Sequence, residues 1–331
     1  MNKIKIGIIG TGHLGTIHTK LWKNNTNIEL IGVYDIDLKK AEQVANEFGC
    51  YPFKDIDSLL ENVNAVTIAT TTTSHFEISQ KAILNGVHCL IEKPITQTYD
   101  EAVELIKIAK KANVKIQVGH VERFNPALIS LRQYQLQPLF IEAHRLSQFK
   151  SRATDVSVIL DLMIHDIDIM LWLIKSKVKN IYANGVSVLT DTTDIANARI
   201  TFENGAVANL TSSRITAKPM RKMRLFQKNA YISIDFAKQE VEVFRLLKDG
   251  ESSDGFALPA AMLGAIDEAT KNQKIVFEKP KVIQINAIEE EQKSFINSII
   301  NNSPIKVSAE DAAVAIRIAE LISAQINENT N

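Results

Sequence analysis

The sequence predicts an α/β protein whose N-terminal half is a doubly wound parallel sheet and whose C-terminal half is an α+β unit with a large, mostly antiparallel open sheet. Three observations predict it. As far as residue 123, short aliphatic runs alternate with helical patterns, the rhythm of parallel strands joined by right-handed crossovers. Beyond that point long extended runs and a hairpin turn replace the alternation. The length of 331 residues exceeds what most single hydrophobic cores hold, so two domains are expected, 1–123 and 124–331, with the last helices free to pack back on the first.

In order, KIKIGII (3–9) reads as a buried strand, followed by GTGHLG and a helix through Trp22. IELIGVYD (28–35) is the next strand, and LKKAEQVANEFG (38–49) a helix closed by Gly49. AVTIAT (65–70) is a strand, SHFEISQKAILNG (74–86) a helix opened by Ser74, and HCLIEKP (88–94) a strand that stops at Pro94. Thr98 or Asp100 caps a helix running to Ala112, before the strand VKIQVGH (114–120). The second half contains a long aliphatic helix from Val156 to Lys175, then extended runs at 178–189, 195–213, 221–237 and 239–247. Asn204-Gly205 is a hairpin turn between alternating segments. Two amphipathic helices, 284–301 and 308–326, close the chain.

Composition narrows the function. Apolar residues make up 45% and charged residues 23%, the balance of a folded soluble protein. Lys plus Arg and Asp plus Glu are 38 each, so a nucleic-acid or anionic-membrane partner is not expected. Cys50 and Cys89 form no CxxC pair and read as reduced thiols in a cytoplasmic protein. No run is long enough to span a bilayer, and glycines interrupt the N-terminus too early for a signal peptide.

Gly10-Thr11-Gly12-His13-Leu14-Gly15 is a GxGxxG placed directly after a strand and opening a helix. Gly10 permits the tight turn, Gly12 lets the backbone approach a pyrophosphate, and Gly15 lets helix and strand pack closely. The helix N-terminus offers free N–H groups to the phosphates. Asp35, at the end of the second strand, is placed to bind the ribose hydroxyls and to repel a 2′-phosphate. The expected cofactor is therefore NAD, with Lys39 and Lys40 close enough to leave NADP open. On the same strand-end edge lie Thr70-Thr71-Thr72-Thr73-Ser74-His75, Glu92-Lys93-Pro94 and the GHVERFNP segment with His120, Glu122, Arg123 and Asn125.

The helix from Val156 to Lys175 is aliphatic on nearly every face yet carries Asp161, His165, Asp166 and Asp168. Asp161 and His165 are four apart and share a face. With Asp168 they fall at i, i+4, i+7, a spacing that suits a metal, but no second His or Cys cluster accompanies them and no metal is expected. Asp166 and Asp168 read as structural, bonding backbone or arginine, and Trp172 as core. His13 beyond its place in the glycine motif, and His18, His88 and His144, carry no special pattern.

TTTTSH, EKP, the RFNP segment and DLMIHDID, in this order behind GTGHLG, resemble the glucose–fructose oxidoreductase, inositol dehydrogenase and MocA-like (Gfo/Idh/MocA) family over essentially the whole chain. The resemblance implies a Rossmann domain, a C-terminal α/β domain whose open sheet face builds homodimers or homotetramers, and catalytic roles for Lys93, Asp161 and His165. The candidate cofactor contacts are Gly10, Thr11, Gly12, His13, Leu14, Gly15, Asp35, Thr70, Thr71, His75, Glu92 and Lys93, and the candidate substrate contacts are Lys93, Arg123, Asn125, Asp161 and His165. Thr70-Thr71-Thr72 stands where the family has Thr-Pro-Asn, which alters local cofactor contacts but not the fold.

The residue types suit oxidation of a secondary alcohol. An imidazole titrates near neutral pH, so His165 is the candidate general base, with Asp161 to orient it. Lys93 would hold the reacting oxygen and stabilise alkoxide charge. The expected substrate is a sugar, cyclitol or nucleotide-linked sugar, and the ERFNP and DVSVILDLMIHDIDIM segments resemble members that oxidise the 3-hydroxyl of UDP-N-acetylglucosamine. Arg123, Arg145, Lys150, Arg152 and Arg214 are candidates to meet its diphosphate. Two rivals remain: a catalytically silent NAD-binding regulator, and an NADPH-dependent reductase of an unsaturated substrate.

Overall fold

A computed structural model describes residues 3–149, 156–247, 255–257 and 275–330. The chain forms two compact units, Met1–Phe124 with Ile285–Glu320, and Asn125–Gln284 with Leu321–Asn331. The first unit is thus discontinuous, its last piece supplied by the C-terminal helices.

In the first unit, β1 (Ile4–Ile9), α1 (His13–Lys23), β2 (Ile28–Tyr34), α2 (Leu38–Phe48), β3 (Tyr51–Pro52), α3 (Ile56–Leu60), β4 (Ala65–Ile68), α4 (Thr72–Leu84), β5 (His88–Glu92), α5 (Tyr99–Ala112) and β6 (Ile116–Gly119) follow one another. The sheet is parallel, with order β3-β2-β1-β4-β5-β6, the doubly wound arrangement whose order reverses beside β1. Strands β1 and β4 are buried almost throughout, which is why their sequences are unbroken aliphatic runs. Local chemistry sets the helix ends. Asp37 accepts the N–H of Lys39 at the start of α2, and Gly49 closes it at φ 67°. Thr98 and Glu101 form a capping box on α5. Helix α4 starts at Thr72, two residues before Ser74, whose hydroxyl reaches back to Thr70 and to the carbonyl of Thr71. The core gathers Ile6, Ile8, Trp22, Val33 and Leu90, and is completed by Phe295 and Ile296 from the C-terminal piece.

In the second unit the chain runs through α6 (Pro126–Ser130), β7 (Phe140–Leu146), a π turn (Ile159–Met163) continuing into α7 (Ile164–Ile174), then β8 (Val178–Val186), β9 (Ile195–Phe202), β10 (Val207–Ser213), β11 (Met220–Gln227), β12 (Ala230–Asp235), β13 (Glu240–Leu246), β14 (Phe256–Ala257) and β15 (Ile275–Glu278). Among the described residues these make a nine-stranded sheet, order β14-β15-β13-β12-β11-β7-β10-β9-β8, antiparallel except for the β7–β10 pair. The β9–β10 hairpin turns at Gly205, whose φ of 84° requires glycine. Helix α7 packs on β7 and β10, covered by the alternate residues Ile141, Ala143 and Arg145.

The chain ends in α8 (Ala287–Ile300) and α9 (Ala309–Thr330). Among the described residues no helix is long and apolar enough to cross a membrane.

Candidate functional site

The glycine motif does in space what its spacing requires. Gly10 sits at φ 93°, and a Cβ there would lie 2.7 Å from the carbonyl oxygen of Ala69. A Cβ on Gly15 would fall 1.8 Å from the oxygen of Gly10, so only glycine lets α1 pack this closely on the strand end. Gly12 is different, because nothing lies within 4 Å of its would-be Cβ. Gly12, His13 and Leu14 are exposed at the open N-terminus of α1, where no side chain caps the helix. Bare backbone, uncapped N–H groups and open space together fit a dinucleotide pyrophosphate.

Asp35 stands beside this turn. Its carboxylate accepts the N–H and hydroxyl of Thr11 at 2.7 and 2.9 Å and the N–H of Asp37 at 2.9 Å. Burial pulls its pKa upward, but these hydrogen bonds and the nearby Lys40 charge outweigh burial and hold it below the usual carboxylate range. An anion fixed here suits ribose hydroxyls and disfavours a 2′-phosphate.

On the neighbouring strand ends, Thr70 is half-buried and Thr71 exposed. His75 is fully enclosed, its ring nitrogens 2.8 Å from the carbonyl of Pro94 and 3.2 Å from that of Thr70. Burial lowers its pKa. It therefore ties the Thr70 turn, expected at the cofactor, to the segment after Lys93. The Lys93–Pro94 peptide is cis, and Lys93 is half-buried at the end of β5.

Glu92 sits in a polar cluster that sequence reasoning missed. His18 Nε2 lies 2.8 Å from Glu92 Oε1, and the Lys93 N–H donates to Oε2 at 3.2 Å. Gln292 donates to His18 Nδ1 at 3.0 Å and to the His18 carbonyl at 3.2 Å. Glu291 is buried beside them, and among the described residues this is the one group of three side chains gathered closely enough to hold a metal. His18, Glu92 and Glu291 lie far apart in sequence, so no local spacing announced them.

Arg123 and Asn125, expected at the substrate, have internal partners. Arg123 is buried and its guanidinium meets Asp311 at 2.8 Å, fastening α9 to the 3-10 turn Val121–Phe124. Asn125 caps α6 by accepting the N–H of Ala127 and donates to the Phe236 carbonyl at 3.3 Å.

In the second unit, the stretch expected as one helix from Val156 begins differently. Asp161 lies in the π turn and His165 in the first turn of α7, both half-buried. A π turn lengthens the repeat towards i→i+5 and keeps residues four apart on one side, and such turns recur at functional sites. Neighbouring charges fix the segment. Arg145 on β7 grips Asp166 through Nε at 3.1 Å and Nη2 at 2.9 Å, with both side chains buried. Asp166 thus has the structural role expected of it, and Arg145 does not face solvent. Asp194 accepts the N–H groups of Val188, Leu189 and Thr190, while Arg214 donates to the Val156 carbonyl. Asp168 is buried, and Trp172 is half-buried rather than core. Lys150 and Arg152 lie outside the described residues.

Comparison with known proteins matches residues 4–120 to "Oxidoreductase family, NAD-binding Rossmann fold" and residues 128–233 to "GFO/IDH/MocA C-terminal domain". The UDP-N-acetylglucosamine 3-dehydrogenase of Acidithiobacillus ferrooxidans is 37% identical over 306 residues, covering 92% of this chain and 91% of that protein. Its crystal structure superposes with a TM-score of 0.87 over 99% of both chains, at 33% identity. The myo-inositol 2-dehydrogenase of Thermotoga maritima is 23% identical over 98% of this chain and 97% of its own length.

Proposed function

Because the chain belongs to the Gfo/Idh/MocA family of NAD-binding oxidoreductases, we propose that it oxidises the 3-hydroxyl of UDP-N-acetylglucosamine to a ketone. What carries this reading is the full-length match to a relative named for that reaction, 37% identical over 92% of the chain. The glycine turn and the fixed carboxylate of Asp35 support NAD as the acceptor rather than NADP.

Gly10, Thr11, Gly12, His13, Leu14 and Gly15 would hold the pyrophosphate of NAD and Asp35 its ribose, and the cofactor would supply the hydride acceptor there. His165 takes the hydroxyl proton as the base, and Asp161 orients it or binds a neighbouring hydroxyl. Lys93 holds the reacting oxygen and stabilises the alkoxide charge that builds as hydride leaves. The half-buried settings of these three side chains support such roles, because partial burial strengthens charge interactions while leaving access to a ligand. The overall change is a secondary alcohol plus NAD giving a ketone, NADH and one proton.

The test is nicotinamide absorbance across a panel of polyols and UDP-sugars. Turnover is expected with UDP-N-acetylglucosamine, and tight NAD binding without turnover of any panel member would favour a silent regulator. His165→Ala should lower kcat by about 10²–10⁴-fold and Lys93→Met by about 10²–10³-fold, and near-normal turnover in either variant would remove its role. Cys50 and Cys89 are both free thiols, which supports a reducing, cytoplasmic setting.

A further inference from the structure

Glu291 is the most deeply enclosed carboxyl in the first unit's polar cluster. It is 0% exposed, and neither side-chain oxygen has a hydrogen-bond partner. An unpaired carboxylate in such a place is costly, whereas a carboxylic acid is far less so. His18, also 0% exposed, and Glu92 lie within 4.8 Å of it, atom to atom across the group. Three such ligands invite a divalent cation, but Gln292 argues against one. Its amide group donates to both the carbonyl and Nδ1 of His18, so the imidazole proton resides on Nε2 and points at Glu92. A metal would need that same nitrogen bare.

Among the groups on the elements packed around Glu291, it is the charge of Glu92 that favours its proton. Helix α1 presents His18, β5 presents Glu92 followed by Lys93, and β6 presents Gln117, whose amide donates to the Glu291 carbonyl at 2.8 Å. The 3-10 turn packed on α8 carries Glu122 and Arg123, the latter paired with Asp311. On α8 itself, Glu289, Glu290 and Lys293 pair with one another at the surface. Glu92 has a donor from His18 and one from the Lys93 backbone, while Glu291 has none. Glu92 is accordingly the anion and Glu291 the acid. Burial, followed by the Glu92 charge, raises the Glu291 pKa well above the carboxylate range. The Glu92 pKa is instead lowered, because His18 and Lys93 outweigh its burial. Gly119 belongs to the same design, since a Cβ there would strike Glu92 Oε2 at 2.9 Å.

We propose that Glu291 is a protonated positioning residue that holds one proton beside Glu92 and, with His18, keeps Glu92 as the single anion fixing the strand end that carries Lys93. The link to Lys93 rests on the role proposed for that lysine above, but the proton count does not. Because the folded chain holds this proton where the unfolded chain has lost it, the contribution to stability is complete below the ordinary carboxylate pKa. It falls as pH rises towards the raised value, by tenfold in the unfolding constant per pH unit.

Infrared spectroscopy of the full chain at neutral pH tests the count. The expected result is a carbonyl band of a protonated carboxylic acid that disappears in Glu291→Gln and is unaffected by Zn²⁺ or a chelator. Absence of that band, or its displacement by Zn²⁺, overturns the proposal. In Glu291→Gln the tenfold-per-unit dependence of unfolding should vanish above pH 5 or so, and the alkaline limb of the kcat profile should move up by a pH unit or more. An unmoved limb overturns the positioning role. If Lys93→Met keeps its turnover, the lysine reading fails while the band still decides the proton count. Should Glu291→Gln not fold, potentiometric titration of the wild-type chain replaces it. One proton more in the folded than in the unfolded chain at neutral pH is expected, and none overturns the proposal.

Discussion

Gly12 and Gly15 stand three residues apart and respond oppositely to a single methyl group. In Gly15→Ala the new carbon meets a carbonyl at 1.8 Å, so α1 must move and both folding and NAD binding should suffer. In Gly12→Ala the carbon enters open space, so the unfolding midpoint should stay within about 0.5 kcal/mol of the wild type. NAD affinity should nevertheless fall at least tenfold, about 1.4 kcal/mol, because the methyl occupies ground the pyrophosphate needs. Urea denaturation and calorimetric titration of the two variants separate the effects, and unchanged affinity in Gly12→Ala would refute the cradle. Much of this turn was legible in the sequence, since GxGxxG behind an aliphatic run encodes a backbone shape. The contacts of His75 to two carbonyls were not legible, because a histidine beside a strand end looks the same whichever groups it meets. The cluster of His18 and Glu291 was illegible for another reason: Glu92 and Gln292, the partners of His18, lie 74 and 274 residues from it, a relation that only the fold creates.

The helix bearing Asp161 and His165 is held by charge as much as by its aliphatic sides. Breaking a buried pair by removing one partner costs about 3–5 kcal/mol, because the other charge stays behind in the dry interior. Arg145→Met should therefore destabilise the second unit by that amount. Arg145→Met combined with Asp166→Leu should recover most of it, as an apolar pair leaves no orphan charge. Denaturant midpoints give both numbers, and equal losses in the single and double variants would show that the pair adds nothing beyond volume. The aliphatic pattern announced this helix, but it did not reveal the π turn. A π turn differs from an α turn by one inserted residue, which apolar periodicity averages away in a segment buried on nearly every face. Nor did sequence reveal Asp194, whose three backbone donors come from a loop that only the β8–β9 connection brings together.

Across the second unit, the sheet face opposite α7 carries a row of aromatic rings. Phe140, Phe226, Tyr231, Phe244 and Phe277 follow one another at centroid separations of 5.6, 4.9, 5.7 and 4.8 Å. Aromatic rings are enriched where chains meet, so this row suits the homo-oligomer that the family resemblance implies. Phe226→Lys should reduce the mass measured by light scattering, and a wild-type chain that is already monomeric would dispose of the idea. Both sheets followed from rhythm, because strand–helix alternation and hairpin spacing are local signals. The sequence leaves the return of 285–320 to the first unit open as one possibility, since amphipathic helices do not state which core their apolar face will join.

That discontinuity bears on how the protein is made. A ribosome releases the glycine turn, the strand ends and Lys93 early, yet Phe295 and Ile296, which complete the core beneath them, emerge only when most of the chain has been synthesised. Domains ordinarily fold as units during synthesis, N-terminal first. Here the nascent first unit waits with Trp22 and Ile28 lacking the part of their cover that Phe295 and Ile296 supply. The first unit's core therefore closes only after residue 296 has been made.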